Sequence, residues 1–230
     1  MMKIRIMGLL LPVLLLAAVI TEVEAGSRQT REIEDAIEII QEFTKIPENR
    51  IPPYLLRNAQ AIAVIPGVIK IGFIFAGNYG KGVLSVRDKY GYWTNPAFIT
   101  LAGGSIGWQI GAQSSDIILV FKTMKSINDI TAGKFTLGAD ASVAVGPVGR
   151  QAGAGTDFEL KSEIYSYSRT RGLFAGVSVQ GAALEMDYDS IADFYDNTQI
   201  GARDIFETPD LKAPQVAADF RLVLGEQTRR

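Results

Sequence analysis

Between residues 61 and 183 the hydrophobic pattern of this chain repeats every second residue, and on either side it shifts to helical spacing. This change of period constrains the fold more than any other feature. In an extended strand alternate side chains share a face, whereas in a helix residues three and four apart do. In the central stretch Ile106, Trp108 and Ile110 alternate with Gly107, Gln109 and Gly111. Ala61–Ile65, Val83–Arg87, Phe98–Ala102, Ser105–Gln113, Asp116–Thr123, Lys134–Val145, Phe158–Arg169 and Leu173–Ala183 read as strands, with a short helix over Met124–Ala132. Ahead of them Ile33, Ile37, Ile40 and Phe43 mark one face of a helix over Arg28–Thr44. Pro47, Pro52 and Pro53 end that pattern before a short helix over Tyr54–Gln60. Behind the strands, Asp187–Asp196, Gly201–Glu207 and Pro214–Leu224 read as helices, with the final residues, Arg229 and Arg230 included, frayed. The expectation is an α+β fold: a bent antiparallel β-sheet or small barrel flanked by N-terminal and C-terminal helices. Glycines along the strands favour bending, because Gly permits bulges and close backbone approach.

The first 25 residues read separately, as a secretory signal. Lys3 and Arg5 precede an apolar run from Ile6 to Ile20, and Val23-Glu24-Ala25 fits a small-residue cleavage site. The run is about 15 residues, shorter than the roughly 20 that span a bilayer. The mature protein is therefore expected to begin at Gly26 and to be exported to the periplasm or cell exterior, peripheral to a membrane. Residues 26–230 show no fixed-period repeat and no long Pro/Ser linker, so they read as one domain.

Composition narrows the chemistry. The sequence contains no cysteine and no histidine, which excludes Cys/His zinc sites, thiol nucleophiles, disulfides and Ser-His-Asp triads. With 23 basic and 25 acidic side chains the formal net charge is −2, which argues against a nucleic-acid partner. No metal or cofactor is expected.

Four groups of residues could still carry function. The run Gly77-Asn78-Tyr79-Gly80-Lys81-Gly82 could cradle a phosphate with backbone N–H groups, but it fits neither GxxxxGK[ST] nor GxGxxG; a glycine-rich hairpin turn is preferred to a nucleotide site, while weak contact with a lipid head group stays open beside it. Asp187, Asp189, Asp193 and Asp196 fail the EF-hand order, because Ile191 sits where a ligand belongs, and helix N-capping accounts for them. Glu159, Glu163 and Glu185 lie on or near strands, so a carboxylate-based hydrolase is a third-ranked reading. The cations Lys70, Lys81, Arg87, Lys134, Arg150, Arg169 and Arg171 lie beside glycines, turns or strand ends. Arg169 and Arg171 share a face in an extended strand, and guanidinium forks suit phosphate oxygens. Ordinary solvated charge is the alternative for this set.

Several segments, in this order, resemble the SYLF domain family: Ala61-Ile-Ala-Val-Ile-Pro66, Lys70-Ile-Gly-Phe73, Gly80-Lys-Gly-Val83, Trp93-Thr-Asn-Pro-Ala97, Gly107-Trp-Gln-Ile-Gly111, Leu137-Gly-Ala-Asp140, Gly146-Pro-Val-Gly-Arg150, Tyr165-Ser-Tyr-Ser168, Gly172-Leu-Phe-Ala-Gly176 and Phe194-Tyr195. The resemblance covers roughly residues 53–195. It implies a strand-rich domain with flanking helices that binds phosphoinositides and other anionic lipids without catalysis. Some eukaryotic members also bind actin and carry an SH3 domain. Export would make actin an unlikely partner here, and the resemblance is to stand-alone exported bacterial-type members.

One departure matters. Lipid affinity in eukaryotic relatives is associated partly with an N-terminal amphipathic segment, whereas the Arg28–Thr44 helix carries Glu32, Glu34, Asp35, Glu38 and Glu42. Anionic head groups repel such a face. The helix is therefore expected to pack on the domain, and lipid contact moves to Arg169, Arg171, Arg150, Lys134 and Lys81. The expected partners are anionic membrane lipids. A structural or protein-interaction role in the cell envelope, without lipid specificity, is the alternative.

Overall fold

The computed structural model describes residues 10–45, 50–72, 75–106, 111–148, 161–170, 173–174, 179–208 and 210–229. The first helix, α1, runs Leu10–Lys45, and its side chains are described from Arg28 onward. The short α2 (Pro53–Arg57) follows, with proline at its start, where the missing N–H costs no helical hydrogen bond. Then come β1 (Ala61–Gly72), β2 (Phe75–Val86), β3 (Ala97–Ile106) and β4 (Gly111–Phe121). Next are α3 (Met124–Ala132), β5 (Phe135–Thr136), β6 (Val143–Val145), β7 (Ile164–Thr170), β8 (Leu173–Phe174) and β9 (Ala183–Met186). The chain closes with α4 (Tyr188–Tyr195), α5 (Ala202–Glu207) and α6 (Gln215–Arg229).

The strands form one sheet in the order β5-β9-β3-β2-β1-β4-β7-β6, with β8 paired to β7. All described pairings are antiparallel except β6 with β7. The α+β expectation holds, and among the described pairings the sheet is open between β5 and β6 rather than closed into a barrel.

The glycine-rich segment differs from its sequence reading. Gly77–Gly82 is neither a turn nor a phosphate loop: it lies inside β2, paired to β1 and β3. Pro66-Gly67 likewise does not end its strand, since β1 continues across it as a bulge, with shifts of register against both neighbours. Gly67 takes φ +53 and donates its N–H to the Asp116 carboxylate at 3.0 Å. Opposite the bulge the sheet closes tightly. A Cβ on Gly82 would stand 2.2 Å from the Val64 carbonyl oxygen, and one on Gly80 2.7 Å from Val68 Cγ2. These glycines let β2 follow the bend of β1.

Ala61 to Ile65 are each at most 2% exposed, so both faces of the central strand are covered. As expected, α1 packs on the domain: Ile33, Ala36, Ile40 and Phe43 are buried, and the helix meets β1, β2, α4 and α6. Asp187 caps α4, its carboxylate accepting from the Ser190 N–H at 3.1 Å. Phe194 of α4 meets Phe98 of β3 edge-on at 5.2 Å, which fixes α4 on the sheet. At the C-terminus α6 stays helical to Arg229, beyond the Leu224 at which the sequence pattern ends it. Its buried Val216, Phe220, Val223, Leu224 and Thr228 hold the last turns down.

Candidate functional site

The turn joining β2 to β3 packs against α6, and a pocket opens between them. Arg87 and Trp93 pair as an isolated bridge at the base of the turn. Asp88 closes it: its backbone N–H donates to the Tyr92 carbonyl at 2.8 Å, and its Oδ1 accepts the backbone N–H groups of Tyr90 and Tyr92 at 2.8 and 2.9 Å. Gly91 supplies the left-handed step with φ +85. The Trp93 indole N–H then donates to Thr228 Oγ1 at 3.0 Å, while the Thr228 hydroxyl donates to the Leu224 carbonyl at 2.7 Å. This chain of hydrogen bonds ties the turn to the last turns of α6.

The pocket measures about 410 Å³, and Arg87, Trp93, Arg221, Leu222, Gly225 and Arg229 are among the residues lining it. The α6 contribution comes from one helical face, since Arg221, Gly225 and Arg229 are spaced by fours. Arg87 is the fixed wall. It donates from Nε to the Ala59 carbonyl at 2.8 Å and from Nη1 to the Gly91 carbonyl at 2.7 Å, and its guanidinium lies 4.5 Å from the Trp93 ring centroid. Burial lowers its pKa from the ordinary arginine value. Arg221 is the second wall, and its Nε is buried without a hydrogen-bond partner. Neither Arg221 nor Arg229 takes part in a salt bridge among the described residues. The acid in the lining is Asp88, whose Oδ1 is already committed to the turn. Converging guanidinium donors with this charge balance suit an anion such as a phosphate oxygen cluster.

The cations chosen from sequence stand differently. Arg169, on β7, points under α1 and bridges Glu42 and Asp116, the latter at 3.0 Å, with its side chain only 19% exposed. Burial alone would lower its pKa, but the two carboxylates raise it. Its partner Glu42 belongs to the acidic helix, so that helix neutralises the strand cation that was to bind lipid. Lys81, on β2, pairs with Asp187, whose hydrogen bond raises the lysine pKa; burial opposes ionisation of the Asp187 carboxyl, yet Lys81 and Ser190 hold its pKa below the usual range. Lys134 is exposed and stands 3.7 Å from Glu185. Lys81, Lys134 and Arg169 therefore each have a carboxylate partner and come from separate strands or sheet edges. Arg150 and Arg171 lie outside the described residues.

The proposed acids are also apart. Glu185 is on β9 and Glu163 precedes β7, with β3, β2, β1 and β4 between those strands. Glu163 faces the hydroxyls of Thr123 and Ser126 at 3.4 and 3.5 Å, and Glu159 lies outside the described residues. Among the described residues no cluster of three or more Asp or Glu is arranged to hold a metal ion. No helix among them is long and apolar enough to cross a membrane.

Sequence reasoning singled out Arg87 as one of seven cations but did not select it, and it missed Arg221 and Arg229 altogether. A signal for them was present: the Arg221, Gly225, Arg229 spacing, once α6 is extended past Leu224.

Residues 102–227 match the family described as Ysc84, Las17-binding protein actin regulator. Protein YSC84 of Saccharomyces cerevisiae is 34% identical over 172 residues, covering 71% of this chain and 36% of that protein. SH3 domain-containing YSC84-like protein 1 of Xenopus laevis is 34% identical over 180 residues, covering 76% of this chain and 53% of that protein. The Homo sapiens protein of the same name is 32% identical over 205 residues, covering 86% and 59%. The chain thus spans between about a third and three fifths of the length of the curated relatives it matches.

Proposed function

This chain belongs to the Ysc84 family of SYLF-domain proteins, and from that premise we propose that it is a non-catalytic module that binds anionic phospholipid head groups at a membrane surface through the Arg87–Arg221–Arg229 pocket. The observation that carries this reading is the contrast in charge pairing. The described cations chosen from sequence are matched by carboxylates, while Arg221 and Arg229 line a pocket with Arg87 and one carboxylate, Asp88, and form no salt bridge among the described residues. A phosphate there would meet the guanidinium groups that line the pocket, and charge-assisted contacts between guanidinium and phosphate are among the strong hydrogen bonds.

Vesicle flotation tests it. Wild-type protein should float with phosphatidylcholine vesicles doped with phosphatidylglycerol and stay behind with phosphatidylcholine alone, and added salt should weaken the binding. Each basic contact near an anionic surface contributes about 1 kcal/mol. Arg221→Gln/Arg229→Gln should therefore lower affinity roughly tenfold or more. Unchanged affinity in a double variant with native circular dichroism would sink the assignment.

A second reading has its own support. The matched family is described as Las17-binding and actin-regulating, and two yeast relatives are named LAS seventeen-binding protein 3. The same pocket and its exposed rim would then dock a protein segment. Flotation that is absent at every lipid composition would favour this reading.

A further inference from the structure

Tyr92 and Leu222 line the pocket and Tyr90 lies two residues from Tyr92 on the same turn, and all three have little cover, at 65%, 63% and 70% exposure. A folded chain normally covers such groups, and a cluster of them beside a charged pocket marks a contact surface. Two elements build this cluster. Tyr90 and Tyr92 sit at the tip of the β2–β3 turn, and Leu222 projects from α6 beside Arg221.

The turn is rigid by construction. Asp88 binds the backbone N–H groups of both tyrosine residues, and the Gly91 N–H donates to the Asp88 carbonyl at 3.0 Å. The tip thus pays little ordering entropy when something covers it. Its charges complement an anionic surface. Lys89 Nζ lies 5.0 Å from the Tyr90 ring centroid, and Arg87, Arg221 and Arg229 stand just inside the rim. Tyrosine, with an apolar ring and a polar tip, is suited to the boundary between head groups and acyl chains.

We propose that Tyr90, Tyr92 and Leu222 form a wedge that enters the interface of an anionic bilayer while the arginine pocket takes a head group. The proposal rests on the head-group reading above and adds its partner: the bilayer itself, not a free phosphate compound. It also fixes the orientation, with the β2–β3 turn and the C-terminal half of α6 facing the membrane.

Two probes separate the pocket from the wedge. One is vesicles of phosphatidylcholine doped with phosphatidylglycerol. The other is dibutanoyl phosphatidylglycerol, kept below its micelle concentration, which has the head group but no bilayer; its binding is followed by the NMR shift of the Trp93 indole N–H. Tyr90→Ser/Tyr92→Ser/Leu222→Ser should lose tenfold or more in vesicle affinity and still shift Trp93 with the short-chain lipid. Arg221→Gln/Arg229→Gln should lose both responses. A Tyr90→Trp variant should gain emission that brominated acyl chains quench. If the triple variant binds vesicles like wild type, or if Tyr90→Trp is not quenched, the wedge is overturned while the pocket stands. Loss of both responses in the triple variant also overturns it, because the rim is then part of the pocket. If the wild type answers neither probe, the head-group reading and the wedge fail together. A partner peptide covering the same rim would leave vesicle binding untouched by the substitutions.

Discussion

Two basic regions of this molecule share a residue type and differ in what faces it. Under α1, Arg169 is enclosed by Glu42 and Asp116, and nearby on the sheet Lys81 is held by Asp187. Beside α6, Arg221 and Arg229 have no such partners among the described residues, and the acid in the pocket, Asp88, holds the turn through Oδ1. The first region holds a helix on a sheet. The second presents unspent donors to whatever enters. A cation read from sequence is therefore not yet a binding charge: that depends on which element covers it.

The difference can be broken first at Arg169. Arg169→Ala leaves two partly buried carboxylates facing each other without their counter-ion, and removing one partner of such a pair costs about 3 kcal/mol. Denaturant unfolding should show a loss of that size, while the folded variant binds phosphatidylglycerol vesicles like wild type. A weaker affinity without loss of stability would return the lipid site to β7.

A second, smaller effect separates the regions by pH. Glu32 of α1 has a buried Oε1 with no hydrogen-bond partner, and burial raises its pKa to about 7. Lys81 and Arg28 oppose that rise, while Asp187 and Asp35 add to it; Arg31 lines the same cleft between α1 and the β1–β2 strands as Glu32 and Lys81. The folded state thus binds the proton more tightly than the unfolded chain. The stabilisation is fully present below the ordinary carboxyl pKa of 4.5 and is lost as pH rises through about 7. The full shift corresponds to roughly 3 kcal/mol, which the partial solvent access of Glu32 reduces to a fall of roughly 2 kcal/mol across that window. Glu32→Gln should flatten the profile and raise stability at pH 8. An unchanged profile in this variant would show that the carboxyl is hydrated.

The smallest effect belongs to Lys134. Its ion pair with Glu185 is exposed on both sides, and pairs of that kind contribute about 0–1 kcal/mol. Lys134→Ala should change the unfolding midpoint barely at all and leave vesicle affinity within about twofold. A tenfold loss would extend the binding surface to the β5–β9 edge and blur the contrast between the two regions.

The sequence by itself determined the class of the fold. Alternation in the middle and helical spacing at the ends are local patterns, set by which side chains must leave water, and they survive in the structure as the β1–β9 sheet between α1 and α4–α6. The α3 span Met124–Ala132 was readable to the residue, and so was the docking of α1 through Ile33, Ile40 and Phe43. The ordered motifs from Ala61 to Tyr195 carried the family. The glycine run Gly77–Gly82 misled because glycine serves a turn and a tight strand crossing alike; only the bulge at Pro66-Gly67 across the sheet made it a strand. Beyond the Arg221, Gly225, Arg229 spacing, the candidate site was decided by tertiary structure. Arg169 and Glu42 are far apart in the chain, and so are Arg87 and Arg221, yet the first pair is neutralised and the second converges on one pocket. Coulomb interactions act through space and depend on what excludes water between the charges, so the pairing of a cation is fixed only when α1 and α6 have found their places on the sheet.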